Sequence, residues 1–400
     1  MINPQFVEQI AANIKYWQQV TVTLSDETLT RIDKEKHNLF RAVYFGLVPD
    51  KTVSITLNLI LTLFPLIERR GYWHEWLPIL VQAINCCPPN NTQLKIRLLN
   101  QLGFLHQLIR DFPQAITVLE KAVKLAQLED DGEALATAYF YLGNVYYDDA
   151  QYPRAAHYIQ KAQVAFAKSG LLTQNVKQAA IHNLLGLIAQ SQGNHQEAIV
   201  SFKEAVYHWH QTDQHIYLCR TWNNLGLSYL ALKKFSEALD CFQEAESALG
   251  SILSEDERVR IAINQGQAYY EQKKWELAER SFRQAEKRLL EQKGSLSHKA
   301  LINNNLAAVL LERNHFEEAR IYGQKSLAMW DSLGNKLMVA NVWGMLGEID
   351  EAQGDSFSAC ENYKKSLDRF ASFQDNEWAR QRQKELSLRW TQLNKKELAN

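Results

Sequence analysis

Asparagine and arginine side chains recur at three fixed positions along this 400-residue chain. Each set lies six, three and two residues ahead of a small residue that itself repeats, as Arg220, Asn223 and Asn224 lie ahead of Gly226. A carboxamide both donates and accepts hydrogen bonds, so a column of asparagines can pair with the backbone of another polypeptide. Arginine adds forked, charge-assisted hydrogen bonds to carboxylates. The candidate binding residues are Asn223, Asn224, Arg220, Asn264, Arg260, Asn304, Asn305, Asn183, Arg97 and Tyr141.

A structural role is the alternative for the same side chains. The asparagines could bond across neighbouring helices or to water and bind no partner. Arg220 and Arg260 could pair with acids of the next segment. The sequence leaves both alternatives open.

Motifs for catalytic, nucleotide or metal chemistry are not found in the sequence. A Gly-x4-Gly-Lys-Ser/Thr phosphate loop is missing. The nearest metal candidate is the group His208, His210 and His215. Residues two apart on a helix point about 200° apart, so His208 and His210 cannot share one metal while helical. We therefore predict a non-enzyme with no cofactor and no metal, with an enzyme whose site no motif reveals as the alternative.

Charge and cysteine usage favour a soluble, cytoplasmic protein. The net charge is −1, the pI is about 6.8, and no more than two basic residues stand in a row, which predicts no nucleic-acid binding. The five cysteines show no metal-binding spacing and are interpreted as reduced packing residues. The apolar run Val53–Ile67 is shorter than the roughly 20 residues of a membrane span and predicts a buried helix rather than membrane insertion.

A small residue recurs every 40 to 43 residues and sets the organisation of the chain. The residues of this series are Gly103, Gly143, Gly186, Gly226, Gly266, Ala307 and Gly347. Twelve positions after each stands an alanine, and seven positions further on stands alanine or serine. Apolar residues at i, i+3, i+4 and i+7 flank each break, so every repeat predicts two helices. Small residues are expected where the two helices cross, and large ones such as Phe202, Phe242 and Phe282 are expected to fill the gap between hairpins.

The repeat resembles the tetratricopeptide repeat over roughly residues 93–372. One copy carries the whole motif: Trp222, Leu225, Gly226, Tyr229, Ala238, Phe242 and Ala245. The period of about 40, rather than the usual 34, resembles the repeats of kinesin light chains and Rap-type bacterial regulators. The resemblance implies an all-α, right-handed solenoid of stacked antiparallel hairpins, with the polar positions of the first helices facing a concave groove.

The two ends of the chain predict separate regions. Residues 1–92 form an N-terminal helical region with helices over Pro4–Trp17 and 35–47 and a degenerate hairpin over 63–83. Its pattern is similar to the helical sensor arm of signalling ATPases. Residues 93–372 form seven repeats, and 373–400 a capping helix with Trp378, Leu386 and Trp390 on one side, because an end hairpin would otherwise expose its core.

The function predicted from these features is a non-catalytic scaffold or regulatory adaptor that binds an acidic protein or peptide segment in its groove. Aromatic residues around Tyr141, including Phe140, suit an apolar anchor of that segment. Two alternatives remain: a peptide-responsive sensor that sequesters and releases a protein partner, and an accessory subunit of an enzyme or assembly factor. The sequence predicts no oligomeric state.

Overall fold

The computed structural model describes residues 3–21, 26–170, 174–250, 252, 254–290, 295–374 and 376–397, and in these ranges its regular secondary structure is α-helical throughout. The chain divides into two compact units, Met1–Thr212 and Asp213–Asn400. The first unit contains α1 (Pro4–Val20), α2 (Asp26–Gly46), α3 (Asp50–Arg70), α4 (Trp73–Asn85), α5 (Thr92–Leu108), α6 (Phe112–Leu128), α7 (Gly132–Asp148), α8 (Tyr152–Lys168), α9 (Asn175–Ser191) and α10 (His195–Trp209). The second contains α11 (His215–Ala231), α12 (Phe235–Leu249), α13 (Glu255–Glu271), α14 (Trp275–Leu290), α15 (Leu296–Glu312), α16 (Phe316–Ser332), α17 (Lys336–Ala352), α18 (Ser356–Phe370) and α19 (Glu377–Glu397).

The seven predicted hairpins are the pairs from α5–α6 to α17–α18, and the predicted all-α solenoid class is confirmed. Each hairpin closes through a residue with a positive φ, such as Lys233 (59°) and Gly354 (84°), because a left-handed residue ends a helix after its last turn. An aspartate then caps the second helices α6 and α18, as Asp111 accepts from the Gln114 amide at 3.4 Å. Pro113 follows in the first turn, where a missing N–H leaves no hydrogen bond unmade.

The repeated glycine makes room for a large side chain of its own hairpin. A Cβ on Gly226 would lie 2.5 Å from the Phe242 ring, and one on Gly266 would lie 2.5 Å from Phe282. Both rings are fully buried. The rings therefore fill the crossing within a hairpin. They also belong to core clusters that include residues of the next hairpin, as Phe242 does with Ile261 and Phe282 with Ile302.

The sixth hairpin has a small residue at both of these positions. Its first helix carries Ala307, and the position that holds Phe242 in the fourth hairpin is Gly323 here. A Cβ on Gly323 would lie 2.9 Å from Leu346 Cδ2, so the next hairpin fills the space. One of the two positions is thus always small.

Helix α3 is longer than the apolar run that predicted it. It has 21 residues, and its segment Asp50–Glu68 is long and apolar enough to cross a membrane by length and composition. Of that window, 61% is buried inside the protein. Phe64 packs against Phe104 of α5 with ring centroids 5.9 Å apart, as expected for a core helix.

Helix α19 covers the last hairpin. Leu386 is fully buried and lies where a Cβ on Gly344 would meet its Cδ1 at 2.6 Å. Arg382 Nη2 donates to Glu348 Oε2 at 2.7 Å. Trp378 is half-exposed and meets Phe370 edge-on, and Trp390 is partly buried. These contacts suit a capping helix. The predicted domain boundaries at residues 92 and 372 stay a prediction. Residues 398–400 of the predicted cap lie outside the described residues.

Candidate functional site

The first helices of neighbouring hairpins touch directly within each unit. In the first unit α5 contacts α7 and α7 contacts α9; in the second, α11, α13, α15 and α17 follow one another in the same way. We call the surface of these helices that bears the three repeated polar positions the first-helix face. All ten candidate residues lie on these helices.

In the first unit the face contains a pocket of about 550 Å³ between α5 and α7. Two candidates, Arg97 and Tyr141, line it together. Asn100, Gln101 and Thr137 also line it, at the same repeat positions, and were not among the candidates. The repeated positions could have identified them. Asn183 lies half-buried on α9 and is not part of the pocket lining.

The pocket contains a buried acceptor. Asn100 is only 4% exposed, and no donor from the described residues reaches its Oδ1. Gln101 Oε1 is likewise buried with no donor from the described residues, although the Gln101 Nε2 donates to the Leu61 carbonyl at 3.3 Å. A buried acceptor without a donor costs about 1–3 kcal/mol, so a backbone N–H of a bound segment would offset that cost.

In the second unit two arginines share one buried carboxylate. Arg220 Nε donates to Glu257 Oε1 at 2.6 Å, and Arg260 Nη1 lies 3.5 Å from Glu257 Oε2. The Glu257 side chain is 3% exposed, whereas the arginines are 50% and 45% exposed. The cluster therefore presents a net charge of about +1 at the surface. Sequence analysis missed Glu257, although its spacing of three residues from Arg260 is typical of a helical ion pair.

Asparagines of neighbouring first helices bond to each other in the second unit. Asn264 Nδ2 donates to Asn223 Oδ1 at 2.8 Å, and Asn341 Nδ2 lies 3.5 Å from Asn304 Oδ1. Asn223 and Asn304 are buried, while Asn264 and Asn305 are half-buried. The Asn223–Asn264 and Asn304–Asn341 bonds thus join neighbouring hairpins, and the side chains of Asn264 and Asn305 stay partly exposed. Asn224 is half-buried on α11.

A buried thiol lies beside the arginine cluster. Burial, and then the Glu257 carboxylate, raise the pKa of Cys219 to about 12 against the opposing charge of Arg220. The thiol is consequently neutral at physiological pH and behaves as a packing residue.

The histidine candidates do not come together as a trio. His208 instead stacks on His182, with ring centroids 6.0 Å apart, and its Nδ1 lies 3.1 Å from Asn175 Oδ1. His210 caps the end of α10, and His215 begins α11. Among the described residues, no three histidine, cysteine, aspartate or glutamate side chains lie close enough together to hold a metal ion.

Stacked hairpins with a small residue at each crossing and a shared polar face define a helical repeat scaffold of the protein-interaction class. The chain belongs to the tetratricopeptide repeat family, whose model matches residues 94–163, 177–250 and 298–372. The fifth hairpin, α13–α14, lies outside these matches and carries Gln265 where the other repeats have leucine.

The known relatives agree with the predicted long-repeat type. Protein KINESIN LIGHT CHAIN-RELATED 3 of Arabidopsis thaliana is 21% identical over 312 residues, which are 74% of this chain and 47% of the relative, so the chain spans about half of its length. A signal-transduction ATPase with a tetratricopeptide repeat sensor from Pyrococcus horikoshii has a TM-score of 0.58 at 16% identity, over 84% of this chain and 53% of that one. The apo form of RapI has a TM-score of 0.57 at 13% identity, over 70% and 100% of the two chains. At these identities the structural likenesses show the fold.

Proposed function

We propose that this protein is a non-catalytic, cytoplasmic adaptor that holds an acidic segment of a partner protein on its first-helix face. Arg220 and Arg260 bind carboxylates of the segment, and Asn264 and Asn305 bond to its backbone. Arg97, Tyr141 and Asn183 form the corresponding binding surface of the first unit. Asn223, Asn224 and Asn304 support the surface, Asn223 and Asn304 by joining neighbouring hairpins.

The observation that carries this proposal is the sharing of Glu257 by two half-exposed arginines. A single carboxylate neutralises one guanidinium, so the cluster has an uncompensated positive charge. Because Glu257 is buried and contacts both side chains, it also holds them in place before a partner arrives. An arginine fixed in this way loses less conformational freedom on binding than a mobile one.

The test replaces both arginines and leaves the helices intact. In the variant Arg220→Gln with Arg260→Gln the two charges disappear, whereas Arg280→Gln with Lys287→Gln makes the same change of charge on exposed positions of the second helix α14. Partners are first identified by pull-down with mass spectrometry, and the binding segment is then mapped on a peptide array. A charge-assisted hydrogen bond contributes about 1.5–3 kcal/mol. We therefore expect at least about tenfold weaker binding for the arginine variant and unchanged binding for the control.

Recovery of the same partners at the same yield by the arginine variant contradicts the proposal. Circular dichroism of each variant distinguishes loss of binding from loss of fold, since the helical signal should not change.

A second function, that of a peptide-responsive sensor, is favoured by the amide bonds between hairpins. The Asn223–Asn264 bond spans α11 and α13, so a peptide backbone that took over either amide would alter the spacing of those helices. The similar Pyrococcus horikoshii protein is described as a repeat sensor. Small-angle scattering decides between the two: a change in radius of gyration when the mapped segment is added supports the sensor, and an unchanged radius supports the adaptor.

A further inference from the structure

We propose that the first unit carries a second docking surface, separate from the first-helix face, which binds an acidic peptide segment through one large apolar side chain. The surface is a pocket of about 480 Å³ where α4, α5 and α6 meet. Cavities of roughly 300–1,000 Å³ are typical of ligand sites.

The floor of the pocket is apolar. Leu99, Leu102 and Val118 form it and are buried, and Val81 lies at the mouth and is 40% exposed. Leu128 stands three residues after the lining residue Leu125 on α6 and is 81% exposed. An apolar side chain of a partner would remove this surface from water, and burial of one leucine or phenylalanine contributes about 1.5–3 kcal/mol.

The rim of the pocket is cationic. Lys95 lies on α5, and Lys121 and Lys124 lie one turn apart on α6; all three are exposed. No carboxylate of the described residues forms a salt bridge with any of them, and no carboxylate lines the pocket. Charge complementarity therefore favours a segment with carboxylates on both sides of its apolar anchor.

A second pocket lies at the equivalent place in a later repeat, and the comparison shows that an uncompensated cationic rim is particular to the pocket between α4, α5 and α6. The pocket of about 250 Å³ between α14, α15 and α16 has Lys299 and Lys325 at the repeat positions of Lys95 and Lys121. It also has Glu286 in its lining, at the repeat position where the first pocket has Ile84. The second pocket thus supplies its own carboxylate, while the first requires one from outside.

The entrance of the pocket between α4, α5 and α6 suits a polypeptide better than a small amphiphile. Three lysines on two helices surround an apolar floor, and the exposed Leu128 lies one turn beyond it on α6, so the surface suits an extended contact. A buried anchor with a charged surround is the usual arrangement of a protein-interaction hot spot.

The experiment pans a random-peptide display library against the full chain and measures the synthetic consensus by fluorescence anisotropy. We expect a consensus with glutamate or aspartate flanking leucine, isoleucine, phenylalanine or tryptophan. It should bind at least about tenfold more weakly to Lys121→Glu with Lys124→Glu, and several-fold more weakly to Val81→Ser. Raising the salt concentration should weaken the binding of the consensus peptide to the unchanged protein, because exposed charges are screened.

Two controls locate the binding. Lys15→Glu with Lys34→Glu makes the same charge change on exposed positions outside the pocket and should bind like the unchanged protein. Arg220→Gln with Arg260→Gln should also leave this binding unchanged, which separates the present proposal from the proposed function. Equal binding by both lysine pairs overturns the inference. A peptide consensus without acidic residues also overturns the inference. Binding to phosphatidylcholine vesicles that contain phosphatidylserine, without binding to any peptide, overturns it as well.

Discussion

Replacement of Gly226 by alanine tests whether the helix crossing sets the repeat. The added Cβ would lie 2.5 Å from Phe242 Cε1 and 2.8 Å from its Cδ1, whereas ordinary contact begins at about 3.4 Å. The ring or the helix must therefore move by about 1 Å. Phe242 is fully buried, so the ring has no space into which it can move freely.

Two opposing effects decide the size of the change. Overpacking of a filled core costs about 1–3 kcal/mol. Alanine in place of glycine inside a helix is favourable by about 1 kcal/mol. Because the contact involves a ring buried on all sides, we expect the clash to lie in the upper part of its range, which leaves a net loss of about 1–2 kcal/mol.

Urea unfolding measures the loss, and hydrogen exchange of α11 and α12 locates it, since repeat arrays can open locally. Gly132→Ala at the first residue of α7 is a milder comparison, because its nearest contact, Ser169 Cβ, would be 3.3 Å away and lies only slightly inside ordinary contact. In a Phe242→Ala background the same Gly226→Ala change should become neutral or stabilising, which a double-mutant cycle shows. A Gly226→Ala protein as stable as the original would refute the reasoning.

Three further predictions concern the charged and titrating groups. Glu257→Gln should lower the free energy of unfolding by about 1–3 kcal/mol, because two arginines lose their buried partner. An acidic segment should bind to this variant at least as tightly as to the original protein. Urea titration measures the stability and fluorescence anisotropy the binding, and weaker binding would contradict the electrostatic account. At pH 8 the native protein should leave Cys219 unmodified by a thiol reagent, since its pKa is raised to about 12. Mass mapping should show the half-buried Cys86 and Cys360 reacting before it. Burial, aided by His208 and opposed by Glu204, lowers the pKa of His182. The unfolded chain therefore binds this proton more readily than the native one, and stability should fall as the pH drops below about 6.5. His182→Gln should flatten that dependence in urea midpoints measured across pH, and an unchanged slope would exclude His182 as its source.

The hairpin register could be predicted from the sequence because the requirement for it is local. A helix crossing admits only a small residue, so Gly226 and its equivalents mark every repeat, and the alanines after the turn, such as Ala238, mark the second helix. Lys233 shows the limit of such signals, since its left-handed backbone is unusual for its residue type. The turn is set by the two helices that it joins.

The site was less accessible to sequence analysis because its contacts join residues about 40 positions apart. The pairing of Arg220 with Glu257 and of Asn223 with Asn264 depends on the offset between neighbouring hairpins. The sequence left open whether these side chains bond to a partner or to each other. The structure places the bonds between hairpins, and the half-exposed arginines remain the side chains on which the binding proposal rests.

The pairing of Ala307 with Gly323 has a consequence for recombination among repeats. A whole hairpin can move to a new place in the array with the two residues of its helix crossing still matched. A chimera that joins the helix of Ala307 to the helix of Phe242 would press the alanine methyl group against the ring, and one that joins Gly226 to Gly323 would leave a void. Duplication of this gene segment by complete hairpins would therefore preserve folding, whereas crossover inside the turn of the sixth hairpin would not.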